Sequence, residues 1–496
     1  MKFRSRSEFV GASGYRLLPM RFRRLPWDPA RILVTSMSGD WLIAEEQDFT
    51  RLVNHEISTE EAFFTDCQAR HLIARDTYRS TLAPLLSQYR TRKEYLTAGP
   101  SLHIFVVSLR CHHTCSYCQV SRRPVGDSAF DLGNEHAAQA VERLFEWPSR
   151  NLTVEFQGGE PLLHFDRVRS LTQAIVERNH SENRSIQFVI ASTLHDLTNE
   201  QLAFMREHQF ALSTSLDGPE WLHNANRPRP ERDSYRRTLE GIERGRRALG
   251  DDAVSALTTL TRRSLLAPDA IVDEYVKQGF HSISLRPLSP YGFARATNLR
   301  TGYGMEDFLQ FYQVALDRII GVNRSGYDLE ETYGRMVMSQ LLTPFAHGYV
   351  DLRSPTGAGL GAVVYDFDGR VYPSDEARML ASMGDDSFVM GHVGQPVNEW
   401  LDSPLMATLL DAGVAEALTG CSDCAFVPLC GADPIDHYAR QGDTIGHRPT
   451  SDFCRRQTGM FDTYLKRWED GSTFEQGLLE NWGLRRPTTL GEEMAA

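Results

Sequence analysis

No stretch of this 496-residue chain approaches the roughly 20 apolar residues of a bilayer-spanning helix. The basic N-terminus also lacks the apolar core and small-residue cleavage site of a secretory signal. Positive charge is in short supply: 53 Lys and Arg against 65 Asp and Glu leave a net −12, so no general basic surface exists to hold a phosphate backbone. Local basic runs such as Arg21-Phe22-Arg23-Arg24 and Arg236-Arg237 read as solvated faces. Cysteine is sparse and badly spread for a disulfide scaffold, because seven of the eight fall in two tight clusters and Cys67 stands apart as a small buried residue on a helix. These absences predict a cytoplasmic protein with neither nucleic acid nor membrane as a partner. What the chain does have is 41% hydrophobic and 24% charged residues, enough for about two to four globular domains with substantial cores.

The first cysteine cluster is placed for chemistry. Cys111, Cys115 and Cys118, in Cys-His-His-Thr-Cys-Ser-Tyr-Cys, follow directly on the apolar run Ile104-Phe105-Val106-Val107. Three thiolates this close on a loop can hold three irons of a 4Fe–4S cluster and leave the fourth iron open. A zinc site, with His112 and His113 as further ligands, is the alternative that spacing allows. Otherwise the two histidines read as exposed loop residues.

Around that loop, residues 101 to 288 alternate short β-rich apolar runs with amphipathic helical segments, the pattern of βα units around a parallel sheet. Strands are expected at Leu102–Leu109, Leu152–Phe156, Ile186–Ala191, Ala211–Leu216, Val254–Leu260 and Ile283–Leu285, with helices at Ala137–Phe145, Val168–Arg178, Glu200–Glu207, Tyr235–Ala248 and Pro268–Gln278. Six strands make a partial barrel, in which chemistry gathers on loops at the C-terminal strand ends. The cysteine loop follows the first strand. Gln157-Gly158-Gly159-Glu160-Pro161 follows the second, where two glycines let the backbone pass close to a ligand and Glu160 offers a carboxylate beside it.

Some 300 residues on, Cys421, Cys424 and Cys430, with Cys454 downstream, supply four thiolates and hence a closed site, for which zinc and an iron–sulfur cluster are both open. The first hundred residues differ again. Arg31–Ser36 and Trp41–Ala44 flank a Met37-Ser38-Gly39-Asp40 turn and read as a hairpin. Helices follow, one with Phe49, Leu52 and Val53 on a common face and a second behind a capping box of Ser58 and Glu61.

The cysteine spacing, with Tyr117 before the last thiol, resembles that of the radical S-adenosylmethionine (radical SAM) enzymes. The resemblance implies an open iron that chelates the amino and carboxylate groups of S-adenosylmethionine, one-electron cleavage to a 5′-deoxyadenosyl radical, and hydrogen abstraction. It also implies cofactor contacts from Tyr117 and from Gly158, Gly159 and Glu160. Ser213-Thr214-Ser215-Leu216-Asp217-Gly218-Pro219 resembles a further signature of the peptide-modifying branch, placing Ser215 and Arg236 near the ribose or carboxylate end. Ser192-Thr193 departs from the Thr-Asn pair common there, which puts a ribose contact in doubt. The second cysteine set looks like the outer auxiliary cluster of a SPASM domain, one 4Fe–4S cluster held by Cys421, Cys424, Cys430 and Cys454. Ser374 and Pro434 stand where the inner cluster's cysteines are expected, so that cluster is taken as absent. Asp375 then occupies the position where sulfatase-maturing relatives have a general base, although a plain turn aspartate reads equally well.

Over most of its length, from Arg21-Phe22-Arg23-Arg24-Leu25-Pro26 through Tyr89-Arg90-Thr91-Arg92-Lys93, Gly99–Val107 and Gln119-Val120-Ser121-Arg122 to the last cysteines, the chain resembles the His-Xaa-Ser system radical SAM maturases. That resemblance implies a ribosomally made precursor rich in His-Xaa-Ser repeats as partner, a reductase, flavodoxin or ferredoxin as electron donor, and a second maturase. The fold expected is α/β. Its parts are a winged-helix-like peptide-recognition domain over 1–98, a partial (βα)6 radical SAM barrel over 99–300, a helical connection over 301–350, a SPASM/twitch-like iron–sulfur domain over 351–470 and a tail over 471–496. An N-terminal domain that only packs on the barrel is the plainer expectation for 1–98. Two other functions stay open: a sulfatase-maturing oxidase that makes formylglycine, and a non-catalytic metal-containing module that presents a precursor.

Overall fold

A computed structural model describes residues 14–75, 82–345 and 350–484. Five strands open the chain: β1 (Tyr15–Leu17), β2 (Met20–Arg24), β3 (Arg31–Ser36), β4 (Trp41–Glu45) and β5 (Ile73–Arg75). β2, β3 and β4 form an antiparallel sheet in that order, and β1 pairs with β5. The β3–β4 turn closes as expected, with Ser36 N–H donating to Asp40 O at 2.8 Å and Gly39 at φ +90°, a conformation that suits glycine. Phe49 and Leu52 are buried on the following helix, whereas Val53 is exposed and leaves that face. Cys67 is fully buried on the helix Ala62–Ala69.

This N-terminal unit packs chiefly on the region of the second cysteine cluster. Arg23 forms a two-pronged ion pair with Asp462, Thr35 Oγ1 donates to Ala425 O at 2.7 Å and Arg21 Nε to Ser422 O at 2.6 Å. β2 occupies one edge of β3, so the hairpin's remaining edge is β4.

The large sheet has nine strands. Its parallel part comprises β6 (Leu102–Ser108), β7 (Asn151–Gly158), β8 (Ser185–Ala191), β9 (Ala211–Ser215), β10 (Val254–Thr259) and, beyond the two residues of β11 (Ser282–Ile283), β12 (Leu285–Arg286). Strands covered on both faces need apolar residues on both, and Phe105, Val106, Val107, Leu152, Val154 and Phe156 are all fully buried. Helices return between them with one apolar stripe each. Ala137, Ala140, Val141 and Leu144 of Asn134–Glu146 are spaced to face the sheet. Thr198 and Gln201 close a reciprocal cap at the start of Asn199–Glu207.

The expected sixth strand, Ile283–Leu285, is divided. β11 pairs with β13 (Glu330–Glu331) in a separate ladder, and only β12 reaches β10. The sheet continues past β6 into β14 (Ala362–Tyr365), β15 (Arg370–Tyr372) and β16 (Gly391–His392). β14 runs parallel to β6, and buried His103 and Tyr365 hydrogen-bond across the pair at 3.1 Å. These three strands fall within 351–470, expected as a separate iron–sulfur domain, and they extend the barrel's own sheet. Nor is 471–484 a tail: Thr473–Leu484 is a helix whose Leu479 and Trp482 are fully buried. It lies so close to Thr332–Leu342 that a Cβ on Gly483 would come within 2.9 Å of Met338 backbone. Residues 485–496 lie outside the described residues.

Candidate functional site

β6 ends at Ser108, and the cysteine loop departs from there. Arg123 N–H donates to Leu109 O at 2.7 Å and Cys111 N–H to Arg123 O at 3.0 Å, closing the loop's neck. Asp131 accepts from Ser108 Oγ and from Arg110 Nε, each at 2.7 Å, and so fixes the exit of the strand. The end of β7 crosses this loop at backbone contact: Gly159 N–H donates to Ser108 O and Glu160 N–H to Arg110 O, both at 2.7 Å. A Cβ on Gly158, whose φ is +149°, would lie 1.9 Å from Ser108 O, and one on Gly159 2.4 Å from Arg110 O. Both glycines are therefore demanded by the crossing. On the loop's far side, Phe293 N–H donates to Cys118 O at 2.8 Å.

Cys111, Cys115 and Cys118 all line one cavity of about 360 Å³ at the C-terminal ends of the strands. Burial pushes the Cys115 thiol up to about 11, and Cys118 and Asp217 add to that while Arg227 opposes it. Burial likewise raises Cys111, helped by Glu160 and by both other thiols. Thiols that raise one another in this way lie close together, and a bound metal would offset the repulsion between their thiolates as the protons leave to solvent.

Tyr117, Gly158, Gly159, Ser215 and Asp375 share the wall of this cavity with the three cysteines. Asp375 lies 2.8 Å from Arg378 Nε, an ion pair that holds its carboxylate. Glu160 is placed differently. Its carboxylate is fully buried and accepts from Ser192 Oγ at 2.6 Å, Thr193 Oγ1 at 2.6 Å, Thr193 N–H at 2.9 Å and Leu162 N–H at 3.1 Å. It ties the loop after β7 to the loop after β8, and it is Ser192 and Thr193 that line the cavity.

Arg236 is not at the site. It is exposed on the outer face of the helix Ser234–Leu249, paired with Asp233 and Glu240. Helical periodicity explains the misplacement, since the neighbouring positions Tyr235 and Thr238 are the buried ones. Arg236→Ala should therefore leave S-adenosylmethionine affinity within about twofold of wild type in equilibrium dialysis, as for a substitution on an open surface.

The guanidinium the sequence reading missed is Arg227, which lines the cavity and donates to Tyr117 Oη at 2.8 Å. Tyr117 in turn donates to the fully buried Asp217 at 2.8 Å. Burial pushes the Asp217 carboxyl up, and Arg227 and the Tyr117 hydroxyl act against it. The signal was present in Asp217 and in the last residue of His-Asn-Ala-Asn-Arg, but nothing in spacing alone selects that arginine among its neighbours.

His112 and His113 are not exposed loop residues: His113 is buried, His112 half-buried, and both pack with buried His195 so that one ring nitrogen from each lies within 4.8 Å of the others. Burial pushes His195 down to about 3 and lowers the other two, so the trio is neutral. A cation does not belong among them, because Thr238 and Arg229 already hold the two nitrogens of His195 and Arg229 brings its own positive charge to 2.7 Å.

The second cluster also converges. Cys421, Cys424, Cys430 and Cys454 line a single pocket of about 30 Å³ walled by Phe426, Phe453 and Phe461. Burial raises the Cys424, Cys430 and Cys454 thiols, and the neighbouring sulfurs raise them further. Arg448 Nε donates to Cys421 Sγ at 2.9 Å, a charge-assisted contact that suits a thiolate. All eight cysteines are free thiols.

Residues 105–265, which run from the middle of β6 past β10, match the model of the Radical SAM superfamily. This segment is similar to radical SAM domains. A cysteine-type anaerobic sulfatase-maturating enzyme of Clostridium novyi (strain NT) is 22% identical over 344 residues, 66% of this chain and 86% of the relative. An uncharacterized protein of Methanothermobacter thermautotrophicus is 28% identical over 193 residues, 38% of this chain and 69% of its own length. Among solved structures, anSMEcpe with bound AdoMet and Cp18Cys peptide superposes with a TM-score of 0.61 at 16% identity, covering 75% of this chain and 99% of that one. Streptococcus suis SuiB bound to precursor peptide SuiA superposes with a TM-score of 0.53 at 14% identity, covering 88% and 98%. At such identities the superpositions establish the fold. The radical SAM family implies S-adenosylmethionine and a 4Fe–4S cluster, and the residues present fit both. Three thiols face one cavity, and the side-chain-free backbone of Gly158 and Gly159 lies on its wall.

Proposed function

We propose that this chain is a radical SAM enzyme that modifies a ribosomally made precursor peptide, one with His-Xaa-Ser repeats. The observation that carries the reading is the single cavity shared by the three-thiol loop, the Gly158–Gly159 crossing and the ends of the parallel strands. When bound, the cluster and S-adenosylmethionine supply reductive cleavage of the sulfonium and a carbon radical able to abstract hydrogen from the peptide. The chain's own residues hold and orient. Cys111, Cys115 and Cys118 would ligate three irons. Gly158 and Gly159 leave backbone open to the methionine end, and Ser192, Thr193 and Ser215 offer hydroxyls to the ribose side of the same wall. Arg227 and Asp217 fix the Tyr117 ring beside Cys118. Asp375, on the cavity wall beside Arg378, is the candidate proton acceptor at the reacting residue.

Cys421, Cys424, Cys430 and Cys454 would hold one auxiliary 4Fe–4S cluster, with electrons arriving from a flavodoxin, ferredoxin or reductase. The N-terminal sheet would receive the precursor as an added strand along the β4 edge, since β2 already fills the other side of the hairpin. A second reading, formylglycine formation on a sulfatase, draws on the sulfatase-maturating relatives. Against it, Ser374 and Pro434 occupy positions where cysteines of an inner cluster would stand.

Anaerobically reconstituted protein is expected to contain about eight irons per chain with matching sulfide. About four irons with one zinc would remove the auxiliary cluster and keep the radical site. Incubation with S-adenosylmethionine and dithionite should then yield 5′-deoxyadenosine. Mass spectrometry of a His-Xaa-Ser precursor and of a sulfatase-derived cysteine peptide from the same reactions decides between the readings. A mass change in the sulfatase peptide alone would overturn the first.

A further inference from the structure

An acidic part of the same cavity's wall is built differently from its cysteine loop. Glu376 and Asp433 line it, and neither has an ion-pair partner among the described residues. Asp436 joins them on the wall; Arg440 Nε takes one of its oxygens at 2.8 Å, while the other is buried without a hydrogen-bond partner. Asp351, also on the wall, pairs with Arg456 at 3.0 Å, and Arg286 stands nearby at the end of β12. Glu376 and Asp433 are therefore left without a guanidinium, one oxygen of Asp433 accepting from the Ile435 and Asp436 N–H groups at 3.1 and 3.0 Å, with Arg286 as the remaining nearby cation.

An independent feature points at the same place. Tyr291 is 1% exposed, lines the cavity, and its hydroxyl makes no hydrogen bond. A buried phenol left unpaired is destabilising unless a ligand completes it. That hydroxyl feels the charges of Asp436, Asp433 and Glu376, with Arg440 acting against them. The next residue, Gly292, has φ +56°, and a Cβ there would lie 2.3 Å from Gln119 O, so Tyr291 is held against the cysteine loop.

We propose that Tyr291, Glu376, Asp433 and Asp436 form a subsite for one basic side chain of the peptide substrate, an ammonium, guanidinium or imidazolium group. This deepens, and rests on, the reading of the cavity as the place where a peptide reacts. A cation there supplies the missing counter-charge, accepts from no group but donates to several carboxylate oxygens, and packs against the Tyr291 ring. It also anchors the substrate in the same cavity as the three thiols, so that a neighbouring C–H can be presented to a radical centre formed there.

Fluorescein-labelled Gly-Gly-Xaa-Gly-Gly peptides with Lys, Arg, His or norleucine as Xaa, titrated into the reconstituted full chain with S-adenosylmethionine, test this by anisotropy. At least one basic peptide should bind about tenfold more tightly than norleucine. Glu376→Gln and Tyr291→Phe should each cut that preference to about threefold or less, whereas Glu200→Gln, on an open surface, should leave it intact and so exclude general attraction to the acidic protein. Binding of the Lys, Arg and His peptides no tighter than that of norleucine would overturn the subsite, as would full preference retained in both cavity variants. Absence of 5′-deoxyadenosine after dithionite is added to the same wild-type samples would count against the radical reading alone, because the charge preference is read from binding.

Discussion

Protein in which Cys111, Cys115 and Cys118 are all replaced by alanine is expected to form no 5′-deoxyadenosine from S-adenosylmethionine under dithionite, while wild type does. The three thiols line one cavity with no other cysteine among its described lining residues, so no alternative set of soft ligands exists there to hold a cluster. His112, His113 and His195 do not replace them, because they are packed on one another and already engaged with Ser234, Thr193, Thr238 and Arg229. The triple variant should still fold, since the loop's neck and its contacts to Asn226, Pro228 and Phe293 are made by backbone. Cys421→Ala provides the contrast: its pocket is separate, so uncoupled cleavage should persist while the peptide reaction or the stability of the C-terminal region falls. Persistent 5′-deoxyadenosine in the folded triple variant would sink the assignment of the site.

What the sequence disclosed and what it withheld divide along physical lines. The strands that are buried on both faces announced themselves as apolar runs, and five of the six parallel strands lie within a few residues of their expected places. The sixth failed because a three-residue run carries no periodicity, and its halves answer to different partners, Glu330–Glu331 and Thr258–Thr259. Motif residues at strand ends or on the loops after them, among them Tyr117, Gly158, Gly159 and Ser215, fell on the cavity wall because strand direction determines where such loops emerge. Arg236 did not, since rotating one position along a helix turns a side chain about 100° away. Arg227 and the histidine trio were invisible for a different reason: their environments are made by residues 80 to 110 positions away, as in Arg227 with Tyr117 and His112 with Thr193. The extension of the barrel sheet by β14 is likewise a long-range pairing, Ala362–Tyr365 on Leu102–Phe105, that no local pattern encodes.

Glu160→Ala is expected to unfold the site before it impairs cofactor binding as such. Every contact of this carboxylate is a donor pointing inward: two hydroxyls, from Ser192 and Thr193, and two backbone N–H groups, from Thr193 and Leu162. Removing the acceptor leaves those donors in a fully buried place where water does not compensate, a loss of about 3 kcal/mol or more. In a domain of this size that lowers the thermal midpoint by roughly 5 °C or more. Glu160→Gln should cost less, about 1–2 kcal/mol, because the amide oxygen keeps two of the contacts and the Ser192 hydroxyl can turn to accept. The Leu162 N–H then faces an N–H and cannot turn. Release of the β8 loop would displace Ser192 and Thr193 from the cavity wall, so S-adenosylmethionine affinity should fall in step with stability across the two variants. Melting curves and equilibrium dialysis on both decide it. A Glu160→Gln protein that melts with wild type yet loses the cofactor would mean that the carboxylate touches S-adenosylmethionine directly, and the tie between the two loops would be incidental to binding.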